Sequence, residues 1–296
     1  MRCGLVVEVG LDGTLTMALS ESIRRNIPFR LRRLFRSFTT ASSSSESDLA
    51  IELKQIKDIL RREHGFIAAP PKKLQVRVIG LYSPHFIESG YRTFGVFEQT
   101  LAKAGFGIRS CDTVLDFGCG CGRLIRAFHQ SLPQAKMFGT EIDAEAIQWL
   151  NENYSRFGTF TVNGSLPPLP HENECFDLIY GVSVFTHLPE TMQIAWLAEL
   201  HRIAKRGCLL LLTIYNEERH RLLNASNRAA LATNGFCYIE ESVPTTEGLP
   251  AFYQTAFHSH GYIRRVWGAQ FEVLSITPQS LESHSDLVLL RRRIDS

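Results

Sequence analysis

The sequence lacks several features that would assign it to a special class. No apolar run reaches the ~18 residues that a membrane-spanning helix needs, and the longest one, 208–215, fits a buried strand instead. The N-terminus carries no apolar stretch typical of a secretory signal. The net charge is only +2 over 296 residues, so the chain shows no bias toward nucleic acid. We therefore expect a cytoplasmic protein without a nucleic-acid partner.

Cysteine spacing argues against two kinds of site. The seven cysteines are an odd number spread along the chain, which argues against a disulfide framework and favours a reducing compartment. Around Cys119 and Cys121 there is neither the C-x-x-C spacing of a redox pair nor a second ligand pair with zinc spacing. No carboxylate cluster with suitable spacing is visible either. We expect no metal site, and we expect both cysteines to pack as small side chains.

Composition divides the chain into three regions. Residues 1–48 are basic and serine-rich, and we expect them to be loosely ordered. Six arginines alternate with apolar residues over 21–38, which leaves open a peripheral contact with a membrane surface. Residues 49–112 predict a helical N-terminal cap or lid. Residues 113–296 predict an α/β domain with an insertion at about 216–250 that contains no simple strand.

Alternating patterns within the third region predict a parallel sheet covered by helices on both faces. The pattern predicts helices over 94–104, 122–132, 144–154, 188–204 and 262–267, and strands over 113–117, 136–142, 159–162, 176–182, 208–213, 271–276 and 286–290.

A glycine-rich turn, VLDFGCGCGR at 114–123, follows the first of these strands. Glycine permits positive φ and lets a ligand approach the main chain closely. The dinucleotide fingerprint has two residues between its second and third glycines, but here Arg123 occupies that third position and Gly122 comes early. The turn therefore does not fit a pyrophosphate.

Two carboxylates indicate a different ligand. Asp116 lies two residues before the first glycine and suits a cationic group better than a phosphate. Glu141 follows the next strand, where an acidic side chain can accept both hydroxyls of a ribose. A ligand with a ribose, an ammonium group and no phosphate is S-adenosylmethionine.

The stretch 113–213 resembles the core of the class I S-adenosylmethionine-dependent methyltransferases. Four motifs occur in the family's order: VLDFGCGCGR, MFGTEID, NGSLPPLPHENECFDLIYGVSVFTHL and WLAELHRIAKRGCLLLLT. Cys208 stands where relatives usually have a glycine, a mild departure within a turn. The resemblance implies a Rossmann-like three-layer sandwich with a mostly parallel seven-stranded sheet and an antiparallel last strand. It also implies that 113–296 is the methyltransferase catalytic domain.

The resemblance further implies S-adenosylmethionine as the cofactor, together with its binding residues. The implied contacts are Asp116, Gly118, Cys119, Gly120 and Ser183 at the methionine end, Glu141 at the ribose, and Ile142, Asn163 and Gly164 at the adenine. Many relatives have an aspartate at or near Asn163, but asparagine can both donate to adenine and accept from it.

The chemistry of methyl transfer mainly requires a positioned nucleophile, and a hydroxyl nucleophile also benefits from a base. His187 follows the fourth strand and is our predicted base, with ordering of the loop or holding of the cofactor as the alternative. Tyr253, His258 and His260 form a second cluster that we expect to bind substrate. We expect in-line O-methylation of a small molecule, a glycan or a lipid-linked acceptor. An NAD-type oxidoreductase and a non-catalytic S-adenosylmethionine-binding protein are the alternatives.

Overall fold

The computed structural model divides the chain into two compact units, Met1–Ala68 and Ala69–Ser296. The described residues are 5–9, 15–19, 68–242, 248–281 and 284–294. In the first unit, β1 (Leu5–Val9) pairs antiparallel with β2 (Leu15–Leu19), a hairpin that the sequence patterns do not predict. The arginine-rich segment 21–38 and the predicted helix that begins at 49 lie outside the described residues.

The second unit alternates strands with helices. Its described helices are α1 (Lys72–Ile79), α2 (Phe86–Lys103), α3 (Ile125–Ser131), α4 (Ala144–Tyr154), α5 (Glu190–Ile203), α6 (Glu217–His220), α7 (Ala225–Asn234) and α8 (His260–Val266). Its described strands are β3 (Thr113–Phe117), β4 (Lys136–Glu141), β5 (Thr159–Val162), β6 (Phe176–Gly181), β7 (Ala204–Tyr215), β8 (Phe236–Ile239), β9 (Thr255–His258), β10 (Glu272–Leu281) and β11 (Ser285–Arg291).

The main sheet has seven strands in the order β10-β11-β7-β6-β3-β4-β5. Four neighbouring pairs, from β7 through β6, β3 and β4 to β5, run parallel. The last strand, β11, is antiparallel to both β7 and β10. This Rossmann-like arrangement confirms the predicted mostly parallel seven-stranded sheet with an antiparallel last strand. It follows from the strand and helix alternation, because parallel neighbours need helical crossovers.

Aromatic side chains pack two helices against one face of this sheet. Phe94 of α2 meets Phe128 of α3 edge to face, with ring centroids 4.8 Å apart. Phe128 also stacks on Tyr180 of β6 at 4.3 Å, and Phe97 lies 5.7 Å from the same tyrosine. A second core cluster gathers residues of α5 and α8, including Trp196 and Ile263, with buried residues of β6 and β7. Helices therefore cover the sheet by burying aromatic and aliphatic area.

Predicted and observed elements differ mainly at their ends: α2 begins earlier than predicted, and the strands β7 and β10 are longer. The patterns place β3, α4 and β5 at the observed residues, but they start α2 at 94 whereas it begins at Phe86. Gly90 interrupts the apolar spacing of the first turns, so the pattern does not indicate this part of the helix. A Cβ on Gly90 would lie 2.0 Å from the backbone oxygen of Arg123, so the glycine lets α2 approach the chain after the glycine-rich turn.

The insertion contains regular structure that the sequence does not predict. Asn224 caps α7 by accepting from the amide of Asn227, and Gly235 ends that helix with φ of 75°. Strand β8 then pairs antiparallel with β9 as a separate two-stranded sheet. The expectation of no simple strand in the insertion is therefore wrong, because a four-residue strand is too short to show an alternating pattern.

No helix in the described part of the chain combines the length and the apolar character needed to span a membrane.

Candidate functional site

The candidate site is a cleft at the carboxyl ends of β3, β4 and β6. The chain continues from β3 to β4 on one side and reaches β6 on the other, so the strand order reverses here. Ligands of open α/β sheets bind at such switch points. The cleft encloses about 860 Å³ including its open mouth, which is ample for a nucleoside-sized ligand. Residues from these strand ends and the turns after them line the cleft: Phe117, Gly118, Gly120, Glu141, Ile142, Asp143, Asn163, Gly164, Ser183, Val184, Leu188 and Trp196.

The glycine-rich turn forms one wall of the cleft and is fixed to the next strand. The amides of Gly118 and Cys119 both donate to the Thr140 carbonyl, at 2.8 and 3.0 Å. Gly118 has φ of 76°, and a Cβ there would lie 2.3 Å from Val184 Cγ2. Glycine is thus required both for the left-handed backbone and for the close approach of the opposite wall.

Glu141 stands at the end of β4 with its carboxylate held by backbone amides. Its Oε2 accepts from Gly120 at 2.9 Å, and its Oε1 accepts from Ile142 at 2.7 Å and Asp143 at 3.1 Å. Burial raises the pKa of this carboxyl, and the amide donors oppose that rise. The side chain is therefore oriented before any ligand arrives, with further lone pairs open to hydroxyl donors from the cleft.

The group implied by the glycine turn fits these residues. Glu141 offers a carboxylate to a ribose diol, and Ile142 offers an apolar surface beside it. Asn163 lines the same cleft, its backbone amide donates to the Glu141 carbonyl at 3.0 Å, and its side-chain Nδ2 donates to the Gly164 carbonyl at 2.8 Å. A carboxylate, an apolar contact and an amide side by side suit an adenosyl group.

Asp116 lies beneath the turn and not on the cleft wall. It is 3% exposed, and its Oδ2 accepts from the Tyr180 hydroxyl at 2.9 Å. Burial raises the pKa of this carboxyl to about 8, Tyr180 opposes the rise and the Glu141 charge adds to it. Cys119 is buried with it, also away from the wall. Contact of Asp116 or Cys119 with the cofactor therefore stays a prediction.

The raised pKa of Asp116 predicts a pH dependence of stability. Between its ordinary value of 3.8 and about 8, the folded protein binds a proton that the unfolded chain has released. The free energy of unfolding should therefore fall as pH rises through this window, and this group should add no further slope above it. Asp116→Asn, whose amide oxygen can still accept from Tyr180, should flatten the slope. Urea unfolding at pH 5 and pH 8 measures it, and identical slopes in the two proteins would contradict the assignment.

Ser183 follows β6 with the backbone in the left-handed region, at φ of 59°. Its amide donates to the hydroxyl of Thr213 at 2.7 Å, a side chain that is fully buried in the neighbouring strand β7. A non-glycine residue rarely adopts this conformation unless its surroundings impose it. The strand neighbour therefore holds Ser183 on the cleft wall, and its contact with the cofactor stays a prediction.

Removing that hydroxyl should destabilise the protein. Thr213→Val keeps the shape but leaves the Ser183 amide unpaired, and we expect a loss of about 1–2 kcal/mol in unfolding free energy. Thr140→Val is the matched control, because among the described residues nothing hydrogen-bonds the buried Thr140 hydroxyl. That variant should be neutral or stabilising. Chemical denaturation compares the two, and equal effects of both substitutions would argue against the Ser183 contact.

His187 lies in a short 3₁₀ turn, Phe185–His187, and is not on the cleft wall. It is 9% exposed, and its Nδ1 is 2.6 Å from the Gln254 carbonyl oxygen. Burial lowers its pKa to about 4, with Arg219 adding to the decrease. The imidazole is therefore neutral at physiological pH. The structure brings it close to Tyr253, whose ring stacks on it with centroids 4.0 Å apart.

The second predicted cluster is split by the structure. Tyr253 lines the cleft. His258 is fully buried, with Nε2 2.8 Å from Gln193 Oε1, and His260 is paired with Asp286 at 2.7 Å. His258 therefore lies in the core and His260 lies beside β11, and neither lines the cleft, so their contact with a substrate stays a prediction.

Two segments that are distant from each other in the sequence form the cover of the cleft. They are α1, through Leu74, Arg77 and Val78, and the end of the insertion, through Leu249, Pro250 and Phe252. Arg77 donates to Asp143 at 2.7 Å and also meets Glu145 at 2.9 Å, which fixes α1 to the start of α4. The Tyr238 hydroxyl donates to the Phe252 carbonyl at 2.8 Å. No motif marks these residues, and the sequence indicates the cover only coarsely, through the helical cap over 49–112 and the insertion at about 216–250.

Comparison with known proteins agrees with this site. Residues 114–207 match the family model described as a methyltransferase domain. An uncharacterized methyltransferase of Schizosaccharomyces pombe is 28% identical over 109 residues, which covers 34% of this chain and 38% of that protein. The chain thus matches well under half of this relative's length.

A solved structure shares the fold. A protein of Pyrococcus horikoshii superposes with a TM-score of 0.50 at 16% identity, covering 68% of this chain and 90% of its own. An S-adenosylmethionine-dependent methyltransferase of Methanosarcina mazei superposes with a TM-score of 0.48 at 16% identity, covering 62% and 93%. The family match shows that residues 114–207 belong to a methyltransferase domain, and the glycine turn and Glu141 beside it suit S-adenosylmethionine as the cofactor.

Proposed function

We propose that this chain transfers the methyl group of S-adenosylmethionine to a small-molecule acceptor that binds in the cleft beside Tyr253. The observation that carries the proposal is the Glu141 carboxylate, held at the end of β4 by three backbone amides and open to the cleft. When bound, the cofactor supplies an activated methyl group on a sulfonium. The chain's own task is then to bind, orient and exclude water.

Individual residues support these tasks. Glu141 orients a ribose, while Ile142 and Asn163 lie beside the adenine position. Ser183, in its strained conformation, supports the methionine end from the wall after β6. Phe252 and Leu249 cover the cleft with apolar surface and reduce access of water.

For the acceptor atom we propose an oxygen, in a small molecule, a glycan or a lipid-linked compound. The apolar and aromatic cover suits a compact acceptor or a short end of a larger one. His187 gives less support to this choice than the sequence suggested, because a base with pKa of about 4 has little driving force at neutral pH. The oxygen acceptor therefore rests on the family resemblance and the shape of the cleft.

Two measurements test the proposal. Calorimetry with S-adenosylhomocysteine and with NADH should give micromolar binding for the first and none for the second. Incubation with methyl-labelled S-adenosylmethionine and the small-molecule fraction of a cell extract should then yield a labelled product. Binding of NADH alone would favour the oxidoreductase alternative. Cofactor binding without any labelled product, from small-molecule or macromolecular fractions, would favour the non-catalytic alternative.

A further inference from the structure

We propose that His187 is a positioning residue that seats Tyr253, and that the Tyr253 hydroxyl is the group of this pair that contacts the acceptor. The inference rests on the proposed function, since it assigns roles within the same cleft. It replaces the expectation of a histidine base with a division of tasks between two stacked rings.

The first step concerns how His187 is attached to the segment that carries Tyr253. Its Nδ1 lies 2.6 Å from the carbonyl oxygen of Gln254, and the Gln254 amide donates back to the His187 carbonyl at 3.3 Å. A carbonyl only accepts, so Nδ1 carries the imidazole proton. These two bonds join the 3₁₀ turn after β6 to the residue that directly follows Tyr253. The histidine therefore ties the cover to the edge of the sheet through this pair of hydrogen bonds.

The second step concerns what lies between His187 and the cleft. The Tyr253 ring is nearly parallel to the imidazole, at an interplanar angle of 16° and a centroid distance of 4.0 Å. Tyr215 meets the imidazole edge to face at 6.3 Å. Of the two stacked rings, Tyr253 lines the cleft and His187 does not. An acceptor in the cleft would therefore contact the Tyr253 ring and not the imidazole behind it.

The third step concerns the charge states of the two rings. Burial lowers the pKa of His187, and the charge of Arg219 lowers it further. Burial raises the pKa of Tyr253, with Tyr215 and Glu141 adding to the rise. At neutral pH the pair is thus a neutral imidazole behind a neutral phenol. A neutral phenol is a hydrogen-bond donor, which suits it to orient an acceptor heteroatom and not to remove its proton.

The fourth step concerns the hydroxyl itself. Among the residues that the structure describes, none forms a hydrogen bond with the Tyr253 hydroxyl, whereas the Tyr238 hydroxyl is bound to Phe252 and the Tyr180 hydroxyl to Asp116. A polar atom at a cleft wall without a protein partner is available to a ligand. Its neighbour Glu141 is already used by backbone amides and by the proposed ribose contact.

The hydrogen bonding between His187 and Gln254 is tested by His187→Asn and His187→Ala. Asparagine offers a short side-chain amide that can still donate to the Gln254 carbonyl, whereas alanine cannot. Hydrogen exchange of residues 249–255 should become at least tenfold faster in His187→Ala and stay within about threefold of wild type in His187→Asn. This readout needs neither cofactor nor acceptor, so it does not depend on the proposed function. Unchanged exchange in both variants would overturn the proposal that His187 holds the segment that carries Tyr253.

Methyl transfer separates a positioning histidine from a base. With the labelled extract assay, His187→Ala should lose about tenfold or more of the initial rate, chiefly through a higher KM for the extract acceptor. His187→Asn should recover most of that loss and keep the pH profile of wild type. If His187 is the base instead, both variants should lose kcat alike, at least 100-fold, and the asparagine should give no rescue.

The hydroxyl is tested by Tyr253→Phe, which retains the stacked ring. We expect unchanged exchange over 249–255, S-adenosylhomocysteine affinity within twofold of wild type, and at least a tenfold lower rate. Tyr91→Phe is the matched control, because the Tyr91 hydroxyl binds Gln130 on the exposed surface and should not affect transfer. Full activity of Tyr253→Phe would overturn the acceptor contact. Failure of wild type to bind S-adenosylhomocysteine would instead contradict the proposed function and leave the exchange test intact.

Discussion

Glu141→Ala should weaken S-adenosylhomocysteine binding by about 100-fold. The carboxylate would form charge-assisted hydrogen bonds to both ribose hydroxyls, and such bonds contribute roughly 1.5–3 kcal/mol each. Two such bonds at the lower end of this range sum to about 3 kcal/mol, which corresponds to a change in Kd of about 100-fold at 1.4 kcal/mol per factor of ten. Glu141→Gln keeps one acceptor oxygen at the same place, so it should lie between wild type and alanine, near tenfold. Isothermal titration calorimetry measures the series.

The control for this series is Glu152→Ala, which removes an exposed carboxylate from α4 outside the cleft. It should bind the ligand as wild type does. Because Glu141 also accepts from three backbone amides, each variant should be checked by circular dichroism and thermal unfolding. A folded Glu141→Ala protein with wild-type affinity would show that the ribose is not bound at this position.

Gly90→Ala should be among the most damaging single-methyl additions in the protein. The new Cβ would lie 2.0 Å from the Arg123 carbonyl oxygen and 2.9 Å from its carbonyl carbon, so one backbone must move. Overpacking costs typically 1–3 kcal/mol, and a clash of 2.0 Å with backbone should cost more than that, about 3–4 kcal/mol, against about 1 kcal/mol gained by replacing a helical glycine. We expect a net loss of about 2–3 kcal/mol and a Tm lower by roughly 6–10 °C.

The same helix offers the control. Gly95→Ala adds a methyl where no heavy atom lies within 4 Å, so it should gain up to about 1 kcal/mol from helix propensity alone. The Tm values of both variants, measured by differential scanning calorimetry, separate the cost of the steric clash at residue 90 from the gain in helix propensity. Arg123 directly follows Gly122 of the glycine turn, so Gly90→Ala should also weaken cofactor binding. Similar Tm values for the two variants would contradict the close approach of α2.

Much of the fold around the cleft is predictable from the sequence, because it depends on local patterns of apolar residues and glycines. Alternating strand and helix patterns placed β3, α4 and β5 at their observed residues. The glycine turn, followed by an acidic residue one strand later, placed Glu141 at the cleft, since carboxyl ends of parallel strands share one edge. These features rest on period and turn chemistry, which a single sequence displays directly.

The rest of the site depends on contacts between distant segments. His187, His258 and His260 look alike in the sequence, but burial, a glutamine partner and an aspartate partner give them different roles. Arg77 carries no motif, and only its meeting with Asp143 reveals its place beside the cleft. Packing decides where each histidine lies and which partner it has, and local sequence spacing does not reveal packing.

The two-part cover has a consequence for how the protein is made. Its walls come from α1 near the start of the second unit and from Leu249–Tyr253 near its end. During synthesis the glycine turn leaves the ribosome long before the second wall, so an emerging chain has half a binding site. The closed cleft therefore forms only after the second wall has been synthesised, and contacts between such distant parts of the chain form slowly. A chain truncated before β9 would keep the family motif and lose the closed cleft.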